Sequence, residues 1–251
     1  MTATIVIAGK GGTGKTSISA LLVQILSKKG VVLAIDADPA TNLNQALGVD
    51  AGSTVGRIRE EMTRDIQSGA LSPGISKPDY LEGQVRAALV ESKGFDLLAI
   101  GRPEGPGCYC AANNMLRLSI DKLGRNYRYV VIDSEAGMEH ISRQTTRDVD
   151  ALVIVSDLTQ RSNRTAAANK DLIGEMRTRV GRIALVINRS PDGLPPEIAQ
   201  AAQNNGFESP LTIGQDPNLA GLEIKGRPTT ELPAESPLRR GVAELVARLG
   251  L

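Results

Sequence analysis

Residues 9–16 read Gly-Lys-Gly-Gly-Thr-Gly-Lys-Thr and directly follow the apolar run Thr4-Ile5-Val6-Ile7-Ala8, with a helical pattern over residues 15–27 behind them. A buried-type strand, a glycine-rich turn and a helix in immediate succession commit the chain to a sheet whose strand feeds a helix. The spacing Gly-x-x-x-x-Gly-Lys-Thr turns backbone N–H groups inward around phosphates. It also sets Lys15 near the β and γ oxygens and the Thr16 hydroxyl on magnesium. Side chains at the glycines would block that concavity. The expected nucleotide contacts are Gly11, Gly12, Thr13, Gly14, Lys15, Thr16 and Ser17, and the expected chemistry is hydrolysis of a nucleoside triphosphate.

Short β-branched runs alternate with amphipathic stretches along the rest of the chain, with strands expected near residues 3–8, 31–36, 95–100, 128–133, 150–156, 182–188 and 210–214. Such alternation implies a mostly parallel, roughly seven-stranded sheet with helices on both faces. At 251 residues and 41% hydrophobic content, one α/β P-loop domain over residues 1–251 is expected. Residues 51–93 interrupt the rhythm with charged helical pieces at 57–65 and 80–91. They read as a helical insertion, either a partner surface or a plain surface excursion. Near the end, Val242, Leu245, Val246 and Leu249 share one helical face, which suits core packing better than a membrane-surface helix. A formal charge of +1 without basic blocks argues against coating nucleic acid. No apolar stretch approaches the roughly 20 residues of a membrane span, and the amino terminus enters a strand at once, so a cytoplasmic protein is expected.

The second strand ends in Asp36-Ala37-Asp38-Pro39-Ala40-Thr41-Asn42, placing acids where the phosphates should lie. Asp36 reads as a strand-end cap or loop acid. Tyr129-Val-Val-Ile132 runs into Asp133, the usual arrangement for an acid that holds magnesium through water. Ser134-Glu135-Ala136-Gly137 would then form a switch that closes on a γ-phosphate, and His140 beyond it reads as structural. Asn188-Arg189 follows the sixth strand. The guanine-reading Asn-Lys-x-Asp pattern is absent, because Pro191 stands where it needs Asp; ATP is therefore expected. Gly214-Gln-Asp-Pro217 would cover the other side of the base.

The two cysteines, Cys108 and Cys110, follow Gly101-Arg-Pro-Glu-Gly-Pro-Gly and precede a helix expected near residue 111. One intervening residue is too few for a relaxed disulfide. A helix start favours thiolate, and paired soft ligands suit zinc, nickel or copper(I). Two thiolates leave a four-coordinate site half complete, and the same loop of a second subunit would supply the rest most economically.

Lys10 adds a second cation five positions before Lys15. With it, the loop resembles the deviant Walker A loop of the MinD, ParA and nitrogenase iron-protein group. The resemblance implies that Lys10 reaches across a homodimer to the partner's phosphates, as an arginine finger does elsewhere. It also implies that Asp38 faces the attacking water beside magnesium, that Asn42 lies near the γ-phosphate, and that Asn188 with Arg189 meets the adenine edge. The combination of Cys108-Tyr-Cys110 with Asp133-Ser-Glu-Ala-Gly-Met-Glu-His140 further resembles the CooC family of nickel-insertion ATPases, over essentially the whole chain. That family implies Ni2+ or Zn2+ between paired Cys-x-Cys loops, and apo carbon monoxide dehydrogenase or acetyl-CoA synthase as client. Residues 51–93 carry no motif matched to it. The alternatives are an iron-sulfur reductase-like ATPase, whose cysteines lie far apart in sequence, and a MinD/ParA-type positioning ATPase, which needs an amphipathic tail or basic surface.

Overall fold

Eight strands form one sheet, in the order β3-β4-β2-β5-β1-β6-β7-β8. They are β1 (Ala3–Gly9), β2 (Val32–Asp36), β3 (Val90–Ser92), β4 (Phe95–Ala99), β5 (Tyr129–Asp133), β6 (Val149–Ser156), β7 (Val180–Ile187) and β8 (Leu211–Thr212). The computed structural model describes residues 1–68, 76–101, 118–134, 148–175 and 179–251. All pairings are parallel except β3 with β4. That antiparallel edge strand is the addition to the seven expected. It is three residues long and turns back at Gly94, whose φ is +87°, so no alternating pattern announces it.

Among the described residues the helices are α1 (Lys15–Leu26), α2 (Leu43–Leu47), α3 (Val55–Ser68), α4 (Lys77–Ala87), α5 (Gln160–Glu175), α6 (Pro196–Asn204), α7 (Pro217–Ile224) and α8 (Pro237–Leu249), and residues 118–124 are helical as well. Strand side chains alternate between faces, and β1 shows the result. Ile5 and Ile7 join a core with α1, α2, α7 and α8, whereas Val6 and Ala8 join one with α3, α4, α5 and α6. Each fully buried Leu, Ile or Val contributes about 1.5–3 kcal/mol of transfer free energy, so both helical layers are integral to the fold.

Segment 51–93 supplies part of the second layer. Val55, Ile58, Met62, Leu81 and Val85 are buried in the core, while Arg57 pairs with Glu61, and Glu82 with Arg86 and Lys122, on the outside. At the other end, Val242, Leu245, Val246 and Leu249 of α8 are buried, as their helical spacing predicts. A Cβ on Gly241 would come within 2.6 Å of Ile213, so the helix lies close on the core. Among the described residues no helix is long and apolar enough to cross a membrane.

Register fixes the functional edge. Asp36 is the Cα partner of both Asp133 and Ala99, so β2, β4 and β5 end level, while β1, whose Ile7 also pairs with Asp133, runs on to Gly9. The order of connections reverses beside β1, and ligands in open α/β sheets lie outside the strands' carboxyl ends at such a switch point.

Candidate nucleotide site

The phosphate loop leaves β1 at Gly9, whose φ is +143°; a Cβ there would meet the Val155 carbonyl oxygen at 2.1 Å. Glycine is therefore required by the pairing of β1 with β6 as well as by the turn. Gly14 caps α1 at φ +95° without a side-chain hydrogen bond, so the first N–H groups of that helix are left for an anion. Inside the loop, Thr13 Oγ1 donates to the Lys10 carbonyl at 2.9 Å, and Lys15 Nζ donates to the same oxygen at 3.2 Å. Lys15 is buried, Thr16, Ser17 and Lys10 are half-buried, and Gly11 and Gly12 are exposed at the tip.

Two acids face this loop from the left half of the sheet. Asp133 is 1% exposed and accepts from Ser19 Oγ at 2.9 Å. Burial pushes its carboxyl up to about 6, against the Thr16 and Ser19 hydroxyls and Lys15, with the charge of Asp36 adding to the rise. Asp36 accepts from the Leu43 N–H at 2.8 Å and the Asp38 N–H at 3.1 Å. Burial lifts it too to about 6, opposed by those amides. Asp36 is thus the loop acid expected, shaping residues 38–43. Asp38, half-buried, accepts from the Ala40 N–H at 2.8 Å, and Thr41 holds φ +48° in the same loop.

Ser19 was not among the expected site residues, although it lies three positions after Thr16 on α1, the spacing that puts both hydroxyls on one helix face. The set fits magnesium: hydroxyl and carboxylate oxygens suit a hard cation, and two desolvated acids in register favour a positive charge between them. Thr16 and Asp133 are the residues that would hold it; the ion would supply charge screening for the phosphates.

The right half is built differently. Asn188, buried at the end of β7, donates from Nδ2 to the Thr13 carbonyl at 2.9 Å, and Arg189 Nη1 donates to the Gly12 carbonyl at 3.0 Å. A Cβ on Gly14 would stand 2.5 Å from Asn188 Nδ2, so the glycine also makes room for that amide. On α5, which follows β6, Asn163 Nδ2 donates to the carbonyls of Asp157 and Thr159 at 3.2 and 3.0 Å. Asp216 caps α7 by accepting from the Asn218 N–H at 2.9 Å, and it also accepts from Ser236 Oγ.

Ser134 begins the expected second switch and is pinned, its Oγ donating to the Ile7 carbonyl at 2.7 Å. Glu135, Ala136, Gly137 and His140 lie outside the described residues, as do Cys108, Cys110 and the helix expected near residue 111.

A parallel sheet with a phosphate loop at its switch point, a lysine in that loop and acids at two neighbouring strand ends defines a P-loop nucleoside triphosphatase. A family profile described as an AAA domain matches residues 1–183. An uncharacterized ATP-binding protein of Methanocaldococcus jannaschii is 40% identical over 250 residues, covering 98% of this chain and 97% of the relative. The carbon monoxide dehydrogenase accessory protein CooC of Rhodospirillum rubrum is 35% identical over 188 residues, 68% of this chain and 69% of its own. Among solved structures, a ParA family ATPase from Chlorobium tepidum superimposes with a TM-score of 0.72 at 19% identity, covering 98% of each chain. MinD of Pyrococcus horikoshii complexed with Mg-ADP gives 0.67 at 22%, covering 100% of this chain and 98% of that one. The chain belongs to the AAA-domain family of that profile and is an ATPase; its fold is shared with the ParA and MinD structures.

Proposed function

We propose that this ATPase is a cytoplasmic nickel metallochaperone acting as a homodimer. ATP draws two copies together, Lys10 of each reaches the partner's phosphates, and Cys108 with Cys110 of both gather one nickel or zinc ion. Asp38 orients the attacking water. Hydrolysis relaxes the pair, and the ion passes to apo carbon monoxide dehydrogenase or acetyl-CoA synthase. Binding energy is used here to set the geometry of the thiolates, which is why hydrolysis can be coupled to a metal that undergoes no reaction.

The observation that carries this reading is where the cysteine-bearing segment starts. It follows β4, the neighbour of β2, and the Ile100 N–H donates to the Asp36 carbonyl at 2.8 Å. The chain thus enters residues 102–117 directly from the acid side of the nucleotide site. The identity to CooC of R. rubrum over 68% of the chain supports the choice of client. A positioning ATPase that rides on membranes through its last helix is disfavoured, because the apolar face of α8 is buried in the core.

The test is a nickel titration of purified protein with mass measured alongside, with and without ATP. One ion per dimer is expected, with loss of binding when Cys108 and Cys110 are both replaced by Ala. Undiminished binding by that variant refutes the role of the thiols. Broad visible absorption from the anaerobically purified protein would favour the iron-sulfur alternative instead.

A further inference from the structure

The phosphate loop can hold an anion only while its N–H groups point inward, which requires its carbonyls to point out. In this chain the carbonyls of Lys10, Gly12 and Thr13 each accept a hydrogen bond from a side chain. The first is satisfied from within the loop, by Thr13 and by Lys15. The other two are held from outside it, by Arg189 and Asn188 at the end of β7, a strand separated from β1 by β6.

Consecutive residues on an extended strand send their side chains to opposite faces. Asn188 and Arg189 nevertheless reach adjacent peptide groups of one loop. Arg189 stands at φ +59°, a left-handed conformation unusual for a residue other than glycine, and this break in the extended backbone lets both side chains converge. The turn is fixed on either side: the Asn188 N–H donates to the Ser156 carbonyl at 2.8 Å and the Ser190 N–H to the Ile213 carbonyl at 3.0 Å. Strained backbone persists where its surroundings over-determine it, and it is concentrated at functional sites.

From this convergence we infer that Asn188 and Arg189 form a clamp that preorganises the phosphate loop, with Arg189 a positioning residue acting through the Gly12 carbonyl. The clamp serves phosphate groups whatever base they carry. Gly11 and Gly12 are exposed, and glycine loses the most conformational freedom on ordering. Holding the loop from a rigid strand removes that loss from the binding step, as preorganisation does generally. The inference concerns the ATPase cycle and is independent of the metal proposed above.

The experiment measures calorimetric affinities of the nucleotide-free protein for ADP, GDP and inorganic tripolyphosphate, in the parent chain, Arg189→Met and Arg189→Lys. Met is unbranched and tolerates the left-handed backbone about as well as Arg, so the guanidinium is what changes. Loss of the clamp is expected to weaken all three ligands by a common factor of about five to ten, and Lys, which keeps a donor, to recover most of it. With ATP, KM should rise by more than kcat falls. A loss confined to ADP would make Arg189 a reader of the base and overturn the inference. So would unchanged affinities, or a lowered thermal midpoint without ligand accompanied by no common loss of affinity.

Discussion

The two halves of the nucleotide site solve different electrostatic problems. To the left of β1, the ends of β2 and β5 carry Asp36 and Asp133, both buried and both pushed up to about 6 by desolvation. To the right, Asn188 and Arg189 follow the end of β7, and each donates to a carbonyl of the phosphate loop. The left half is therefore destabilised at neutral pH until a cation arrives. The right half is complete before any ligand binds. One side of the loop waits while the other holds it in shape.

The sharpest way to break this comparison is at Lys15, the loop's own cation, whose charge acts on Asp133. Lys15→Met should lower ATP hydrolysis by at least about a hundredfold, the scale of losing a preorganised charge at a transferring phosphoryl group. Phosphate release under saturating ATP measures it. A loss under tenfold would mean that the loop's backbone alone carries the charge.

The next effect is one of pH. A carboxyl whose folded pKa lies above its unfolded value of 3.8 binds its proton more tightly when folded. Its stabilisation is complete below about pH 4 and is lost as pH rises through about 6, a change of order 2–3 kcal/mol for each such acid. Urea unfolding of the nucleotide-free protein at pH 5 and pH 8 should show the fall. Magnesium should reduce it, and Asp133→Asn should remove about half of it, because the Ser19 hydroxyl can turn to accommodate an amide. A slope unchanged in that variant would detach Asp133 from the effect.

On the right, Asn188→Ala should cost about 1–2 kcal/mol by leaving the buried Thr13 carbonyl unpaired. The same urea experiment should give an equal loss at pH 5 and pH 8, since no proton is involved. A loss that grows with pH would blur the distinction between the halves.

The left half was the more legible in sequence. Asp36 and Asp133 end runs of β-branched and apolar residues, and strand ends are where a parallel sheet keeps its ligands. The loop and helix α1 follow from local spacing alone. The right half depends on which strands are neighbours. Nothing local to Asn188 says that Thr13 is within reach, because that contact is made across β6 by sheet order. Ser19 lay between these cases, its helical spacing visible and its partner not. Segment 51–93 carried a readable signal in Val55, Ile58 and Met62, spaced as a helix face, but the surrounding charges masked it. The short β3 had no pattern to read.

Ile100 is held by the Asp36 carbonyl on one side, and its own carbonyl accepts from the Gly56 N–H at 2.9 Å. The chain is thereby moored just before residues 102–117 and rejoins the described structure at helical residues 118–124. Ile100 on one side and the core residues Ile120 and Leu123 on the other are each fixed by contacts of their own. Changes of sequence between those two anchors therefore need not disturb the strand ends that carry Asp36 and Asp133.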